Sequence, residues 1–383
     1  MTNWQKTGVS LALAVAVLGA GGAAQDGVAP PCAITVAPEQ SIQEAINAAP
    51  EGAVVCLAEG EWAENLVIHR AITLRGAGQD KTVIRGLDEE MIVIDVDPNG
   101  VLGASVRIEA LAVTGSRSPC PGAPERDYID VAGEGECRTG IRARREAQVR
   151  IQDCRIAGHR RGVTAWEYAQ VEIVDSVIEE NGLVGLAALD DAEVTAVRVT
   201  IARNWTVGVE ISGWSWAEFT ECTITDHAFL GVAITDWASA TFDSSTIRDN
   251  GVAGLLLDGR GEVTVRDCLI QSNGLMGVGV SRSIVLSVIG GEISGQAVGL
   301  LLSDKAEVTL TGCRVVRNRI YGISLDEVEA CAFGFGGPKF TGSVTGTGNI
   351  IPGPDDLDGN GVSGLCPEYP GAPWPTGFLV EGD

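Results

Sequence analysis

The amino-acid sequence predicts an all-β fold, a single-stranded parallel β-helix (solenoid) of about ten coils of 22–23 residues. Three observations support this prediction. A strand-like phrase recurs at a fixed period, side chains within the phrase alternate between apolar and polar, and fixed columns of the repeat carry the same kinds of residue. Self-similarity at a period of this length is the signature of repeat architectures.

The repeated phrase has the composition of β-strands. Eight copies, among them "VRIQDCRI" from residue 149 and "VTVRDCLI" from residue 263, begin 22 or 23 residues apart. Val, Ile and Thr dominate these copies and alternate with polar residues, which is typical of strands. A second short apolar stretch follows a glycine, as in "GVAITD". Two or three short strands per period predict coils that pair through their backbones roughly 4.8 Å apart.

Two columns of the repeat indicate a scaffold role. One holds small residues, including four cysteines, which we predict to be buried thiols because ligands separated by whole coils cannot share one metal ion. The other holds amide and imidazole side chains three residues after each copy's last apolar residue. Stacked amides hydrogen-bond to one another and to turn backbone. We therefore predict a structural ladder of His159, Asn181, Asn204, His227, Asn250, Asn273, Gln296 and Asn318.

Residues 1–24 have the features of a secretory signal peptide. Lys6 precedes the apolar run "VSLALAVAVLGA", small residues follow it, and we expect cleavage after Ala24. The apolar run is too short to span a bilayer. We therefore expect no transmembrane segment and a secreted or periplasmic protein, with the β-helix at residues 25–337 and a C-terminal capping loop or tail at residues 338–383.

The start of the predicted β-helix carries a helix and a distinctive strand run. "SIQEAINAA", near residues 41–49, places apolar side chains on one face of a short helix that Ser41 caps. "AEGEWAENLVIHRAITLRGAG" follows. Both segments resemble the capped start of the pectin-lyase-like right-handed β-helix superfamily, which includes NosD-like and other secreted β-helix repeat proteins. The resemblance implies right-handed coils with an N-terminal capping helix, but a fold of this kind does not fix an activity.

Two segments depart from the repeat. About one coil's worth of chain, rich in Gly, Pro and acidic residues, intervenes near residues 115–139, where we predict a loop insertion. In the tail, Asp356, Asp358 and Asn360 have the opening spacing of a calcium loop, but Pro367 stands where a bidentate glutamate is needed. We therefore expect a turn over the C-terminal core and no cofactor, with calcium as the alternative.

Ten cysteines suit an oxidising compartment. Sequence alone does not fix how the six outside the repeat column are connected. The simplest pairing joins Cys32 to Cys56, Cys120 to Cys137 and Cys331 to Cys366.

The formal charge of −24 narrows the choice of partners. It disfavours nucleic acid, whose phosphates require Lys and Arg, and anionic membranes. It also counts against tight binding of polyanions unless a cation mediates, and it favours solubility. We expect a monomer that binds no nucleic acid.

The least regular positions lie in the turn after the second apolar stretch of each period. One column of this turn places Tyr168, Trp214 and Trp237 on the same edge, and Trp166 flanks them. Flat aromatic faces beside carboxylates are a usual means of binding sugar rings. The alternative is that these aromatics fold over the turn and shield the edge of a coil.

The sequence leaves three functions open. The leading hypothesis is that an aromatic and acidic ridge binds a polysaccharide or cell-surface glycan. The first alternative is a polysaccharide lyase or glycoside hydrolase with Asp190, Asp191 and Asp236 as its acids, and the second is a structural cell-surface protein. The chain lacks segments such as "DFIFG", "NTD", "GHG" and "WIDH" that catalytic members of the superfamily use. No catalytic residue can therefore be carried over, and whether the protein is an enzyme stays open.

Overall fold

Each period of the sequence forms one coil of a right-handed parallel β-helix. The computed structural model describes residues 30–87, 92–98, 105–115, 138–325, 340–353, 359–361 and 363–366. Within these residues the chain builds three parallel sheets, named A, B and C in the order in which each coil visits them, with thirteen, eleven and twelve strands. Eleven complete coils contribute a strand to every sheet. The predicted solenoid is confirmed, at a length close to the ten coils expected.

The strands are short in all three sheets. Sheet A contains Ile34–Val36, Val54–Leu57, Ile72–Arg75, Ser105–Glu109, Gln148–Gln152, Gln170–Val174, Glu193–Val197, Trp216–Thr220, Ser239–Asp243, Glu262–Arg266, Val285–Ile289, Glu307–Thr311 and Ser343–Thr347. Sheet B contains Gly60–Ala63, Thr82–Arg85, Ala112–Thr114, Arg155–Ala157, Val177–Glu179, Thr200–Ala202, Thr223–Thr225, Thr246–Arg248, Leu269–Gln271, Glu292–Ser294 and Arg314–Val316. Sheet C contains Leu66–Ile68, Ile92–Val96, Thr139–Ala143, Arg161–Trp166, Val184–Leu189, Val207–Ile211, Leu230–Asp236, Ala253–Gly259, Met276–Arg282, Val298–Leu302, Tyr321–Leu325 and Ser363–Cys366.

Single residues in the left-handed backbone region turn the chain at the corners between sheets. In the coil that begins at Gln148, Asp153 (φ 52°) separates the sheet A strand from the sheet B strand, so the phrase "VRIQDCRI" is two strands rather than one. In the next coil, Glu180 (φ 53°) follows the sheet B strand and Asp190 (φ 64°) follows the sheet C strand. The aspartates at these corners therefore have a backbone reason to be there, because the short Asp side chain tolerates this geometry.

Every second side chain of each strand enters one continuous apolar core. Phe219 and Phe242, on adjacent strands of sheet A, stack within it with ring centroids 4.9 Å apart and planes 8° apart. Fully burying a side chain of this size contributes about 1.5–3 kcal/mol. The thiols of the cysteine column lie in the same core and are free: Cys154, Cys222, Cys268 and Cys313.

A helix and a disulfide lie at the N-terminal end of the described coils. Helix α1 (Ile42–Ala48) begins after Ser41, whose side chain accepts a hydrogen bond from the Glu44 backbone N–H, and Ile42 and Ile46 are buried in the core. The Glu64 carboxylate accepts hydrogen bonds from the Ser41 hydroxyl and the Ile42 N–H. A disulfide joins Cys32 to Cys56 on a sheet A strand.

The sheets continue past the repeat at the C-terminal end. Ser343–Thr347 pairs with Glu307–Thr311 in sheet A, and Ser363–Cys366 pairs with Tyr321–Leu325 in sheet C. Cys366 is disulfide-bonded. The other cysteines of the predicted pairs, Cys120, Cys137 and Cys331, lie outside the described residues, as do most of the predicted insertion and the segment 1–24.

Candidate functional site

The corner between sheets C and A carries the aromatic side chains singled out in the sequence. Each of five successive coils places one residue two positions before its sheet A strand, and these equivalent residues are Tyr168, Asp191, Trp214, Trp237 and Arg260. The position before each of them is a left-handed turn residue in four of these coils: Glu167, Asp190, Gly213 and Asp236. The turn geometry thus accounts for the acids and the glycine but not for the aromatics that follow.

Trp214 and Trp237 form an exposed stack. Their ring centroids are 4.9 Å apart and their planes are within 2° of parallel, and the two side chains are 64% and 44% exposed. The Arg260 guanidinium lies over Trp237 at 5.0 Å from the ring centroid. Because Trp214 and Arg260 belong to the coils on either side of Trp237, both faces of the Trp237 ring are covered. The uncovered ring face is that of Trp214, directed toward the N-terminal coils.

The aromatic column is interrupted on the N-terminal side of Trp214. Asp191 occupies the equivalent position one coil before Trp214, and Tyr168, which is 63% exposed, occupies it two coils before. Two coil spacings, roughly 9.6 Å, separate Tyr168 from Trp214 along the helix axis. Gly213 sets the position of Trp214, because a Cβ atom there would lie 2.7 Å from the Asp190 carbonyl oxygen. We name Tyr168, Asp191, Trp214 and Trp237 the aromatic ridge.

The remaining predicted site residues are engaged with the turn itself. The half-buried Trp166 donates a hydrogen bond from its indole N–H to the Asp190 carboxylate. The Asp236 carboxylate accepts from the Gly213 N–H at 3.3 Å and the Thr235 hydroxyl at 3.4 Å. Asp190 and Asp236 therefore each brace a turn, although both side chains are exposed. Asp191 is exposed as well, and it is the acid that lies beside the gap.

The amide column forms a hydrogen-bonded ladder at the corner between sheets B and C. Asn204 accepts from the Asn181 backbone N–H at 3.0 Å, and Asn250 accepts from the His227 N–H at 3.1 Å. His227 takes the same part through its Nδ1, which accepts from the Asn204 N–H at 3.1 Å. Burial lowers the pKa of His227 and of His159 to about 4, so both rings are neutral at pH 7. These side chains hold the turn together.

The ladder extends beyond the repeat to a residue assigned above to a calcium loop. Asn360 is buried, its Oδ1 accepts from the Asn318 N–H and Nδ2, and its own Nδ2 donates to the Val315 and Pro352 carbonyls. Asn360 is thus a rung of the ladder. Asp356 and Asp358 lie outside the described residues.

The buried cysteines have the properties of core residues. Burial raises the pKa of the Cys154 thiol to about 12 and that of the other three to about 11, so they are protonated at pH 7 and poor nucleophiles. Within the part of the chain that the structure describes, no group of three or more His, Cys, Asp or Glu side chains is arranged to hold a metal ion.

A groove on the outer face of sheet A adjoins the aromatic ridge. It has a volume of about 480 Å³ and crosses four strands, from Ser105–Glu109 to Glu193–Val197. Gln148, Gln170 and Glu193, which line the groove, are paired first residues of successive sheet A strands. Trp216, 40% exposed, occupies the same position in the next coil. Only Ser215 separates Trp216 from Trp214 in the chain, so groove and ridge form one continuous surface.

A charged cluster that the sequence analysis missed lies on the outer face of sheet C. Arg142 binds Asp95 through two hydrogen bonds of 3.0 and 2.9 Å, and both side chains are buried. Further along the sheet, buried Glu210 lies 3.9 Å from the Arg161 guanidinium and has one carboxylate oxygen without a hydrogen bond. Burial raises the pKa of Glu210 to about 7. The sequence does contain a sign of this cluster, because Glu210 occupies a repeat position that is alanine in the coils before and after it, at Ala187 and Ala233.

The chain belongs to the family described as the right handed beta helix region. Residues 130–244 and 230–351 match the family model, and together these matches span more than half of the chain. No curated protein matched the sequence.

Several solved structures share the fold. The A-module of mannuronan C-5 epimerase AlgE6 from Azotobacter vinelandii is 19% identical, with 85% of this chain and 93% of that chain covered and a TM-score of 0.59. The A-module of AlgE4 from the same organism is 18% identical, with 80% and 90% covered and a TM-score of 0.57. The catalytic unit of a GH87 α-1,3-glucanase from Streptomyces thermodiastaticus is 18% identical, with 80% and 64% covered and a TM-score of 0.56. At these identities the likeness concerns the fold alone.

Among the residues that the structure describes, no helix is long and apolar enough to cross a bilayer.

Proposed function

We propose that the protein is an exported polysaccharide-binding protein whose aromatic ridge stacks against sugar rings. The observation that carries this proposal is the free ring face of Trp214, an exposed tryptophan held rigidly by its stack with Trp237. A rigid ring face loses little conformational entropy on binding and offers an apolar platform to the C–H face of a sugar.

The gap between Tyr168 and Trp214 suits one pyranose ring. Its span of roughly two coil spacings leaves room for a flat ring between two aromatic side chains. Asp191, exposed at the intervening position, can accept hydrogen bonds from sugar hydroxyls. Trp237 and Arg260 then serve to hold Trp214 in place from the other side.

The fold neighbours are consistent with this class of ligand. They are mannuronan C-5 epimerases and an α-1,3-glucanase. The charge of −24 favours a largely neutral glycan for this chain, because repulsion opposes the approach of a polyanion.

The proposal can be tested by affinity electrophoresis in gels that contain neutral polysaccharides. We expect at least one polysaccharide to retard the protein and the Trp214→Ala variant to lose most of that retardation. Stacking on one aromatic ring contributes about 0.5–1.5 kcal/mol beyond the area buried. The matched control is Trp205→Ala, which removes a tryptophan 58% exposed at the corner between sheets B and C. Equal losses in both variants, or retardation by no polysaccharide, would contradict the proposal.

The same preparations test the enzyme alternative. Incubation with the retarding polysaccharide should release no shorter or unsaturated products if the ridge only binds. Product formation that Asp191→Asn abolishes would instead establish a lyase or hydrolase, and Asp190→Asn and Asp236→Asn would show whether the turn acids share in it.

A further inference from the structure

The groove on the outer face of sheet A contains an arginine without a counter-ion. Arg107 is exposed in the groove, and no hydrogen bond or ion pair connects its side chain to any described residue. Its neighbour on the adjacent strand is Arg150, which occupies the equivalent position in the next coil. Two arginines one coil spacing apart repel each other, and an anion between them relieves that repulsion.

The second arginine is already partly neutralised. Arg150 forms an ion pair with Glu172, the next residue of the same column, and contacts the Gln152 side-chain oxygen at 3.3 Å. Arg107 is thus the arginine of this pair that is available to an anion. Ser105 and Gln148, with their hydroxyl and amide groups, lie beside it in the groove. Such a set of donors matches a carboxylate, which the planar guanidinium can bind through two parallel hydrogen bonds.

We propose that the Arg107 end of the groove binds the carboxylate of one acidic sugar within a largely neutral glycan. This inference rests on the proposed function, since the groove continues the surface of the aromatic ridge through Trp216. The site takes a single carboxylate. Glu172 and Glu193 line the coils between Arg107 and Trp216 and repel a second negative charge in that direction.

Isothermal titration of the full chain with three oligosaccharides of equal length tests the inference. One is neutral, one carries a single uronate, and one is a homo-oligouronate. We expect the single-uronate oligosaccharide to bind tightest. In Arg107→Gln its affinity should fall about tenfold, the loss typical of one charge-assisted contact, while the affinity of the neutral oligosaccharide stays unchanged. Raising the salt concentration should weaken only the acidic ligands.

Arg266→Gln provides the matched control. Arg266 lies on the same face of sheet A but outside the groove, and it is paired with Asp243 at 3.0 Å. Unchanged affinity of Arg107→Gln for the single-uronate ligand, or tightest binding of the homo-oligouronate, would overturn the inference while leaving the ridge intact as a neutral-glycan site. Failure of all three ligands to bind would instead remove the proposed function itself.

Discussion

At the scale of single residues, the backbone explains most of the polar side chains that a sequence search selects. Asp190 and Asp236 lie in left-handed turn positions, and the Asp236 carboxylate also accepts a hydrogen bond from the Gly213 backbone in the preceding coil. Trp214 has no such reason for its exposure. A side chain that neither the backbone nor the core requires is a stronger indication of binding than an acid whose geometry the turn already demands.

Glu210 is the residue whose ionisation should affect stability most clearly. Burial raises its folded-state pKa from 4.5 to about 7. Because the folded value lies above the unfolded one, the carboxyl contributes its full stabilisation below pH 4.5, and this contribution is lost as the pH rises through about 7. We expect Glu210→Gln to match the wild type at pH 4 and to exceed its unfolding free energy by up to about 3 kcal/mol at pH 8. Urea unfolding at both pH values measures the difference.

Arg161 determines how this result is interpreted. If its attraction at 3.9 Å outweighed the burial of the Glu210 carboxylate, the glutamine variant would be the less stable protein at pH 8. Glu218→Gln is the control, since Glu218 lies on the outer face of sheet A in a partly exposed position. Because this variant keeps Glu210, its unfolding free energy should stay close to that of the wild type at both pH values.

At the scale of the structural element, the glycine and amide columns depend on each other. Glycines of sheet C lie against the ladder, so that a Cβ at Gly254 would be 2.8 Å from the Asn273 Nδ2 and 2.7 Å from the Gly277 carbonyl oxygen. The same relation holds at Gly231, where a Cβ would be 2.8 Å from the Asn250 Nδ2. The glycine that opens each second apolar stretch is therefore required by the neighbouring amide.

This dependence predicts a cost for adding one methyl group. Gly254→Ala forces the ladder or the Gly277 backbone to move, and we expect it to lower the unfolding free energy by about 1–3 kcal/mol. Gly182→Ala is the control at the same corner, because its Cβ would meet only ordinary contacts of 3.6 Å or more. It should be neutral or raise the unfolding free energy by up to about 1 kcal/mol. Thermal unfolding of the two variants side by side decides between these outcomes, and equal melting temperatures would contradict the dependence.

The elements that could be predicted from the sequence are those that the repeat dictates. Alternation in "VRIQDCRI" and the spacing of its copies determine the strands and their stacking, and the amide column follows from the same period. The division of that phrase into two strands was missed, because the left-handed Asp153 looks like any polar residue of an alternating strand. The stack of Trp214 on Trp237 was also beyond the sequence, since side-chain rotamers decide whether aligned rings face each other or face solvent.

At the scale of the whole molecule, the solenoid brings distant residues onto one surface. Arg107 and Trp216 are more than a hundred positions apart in sequence, yet four strand pairings of sheet A connect them. The groove could not be predicted from the repeat, because the outer face of sheet A carries mixed Thr and charged residues that ordinarily only solvate a sheet. Its volume and the open position at Arg107 depend on which of those charges pair.

The C-terminal strands should keep the last coil of the solenoid from pairing with other chains in solution. Ser343–Thr347 covers the Glu307–Thr311 strand of sheet A, Asn349 accepts from the Cys313 N–H, and Asn360 accepts from the Asn318 N–H. A chain that ends at residue 337 leaves these donors buried without partners and exposes open strand edges. We expect it to form oligomers in size-exclusion chromatography and to unfold at a lower temperature. A chain that ends at residue 366 keeps both added strands and should elute and unfold like the full chain. If the 337-residue chain formed no oligomers and unfolded at the same temperature as the full chain, the eleven complete coils would need no cover at this end.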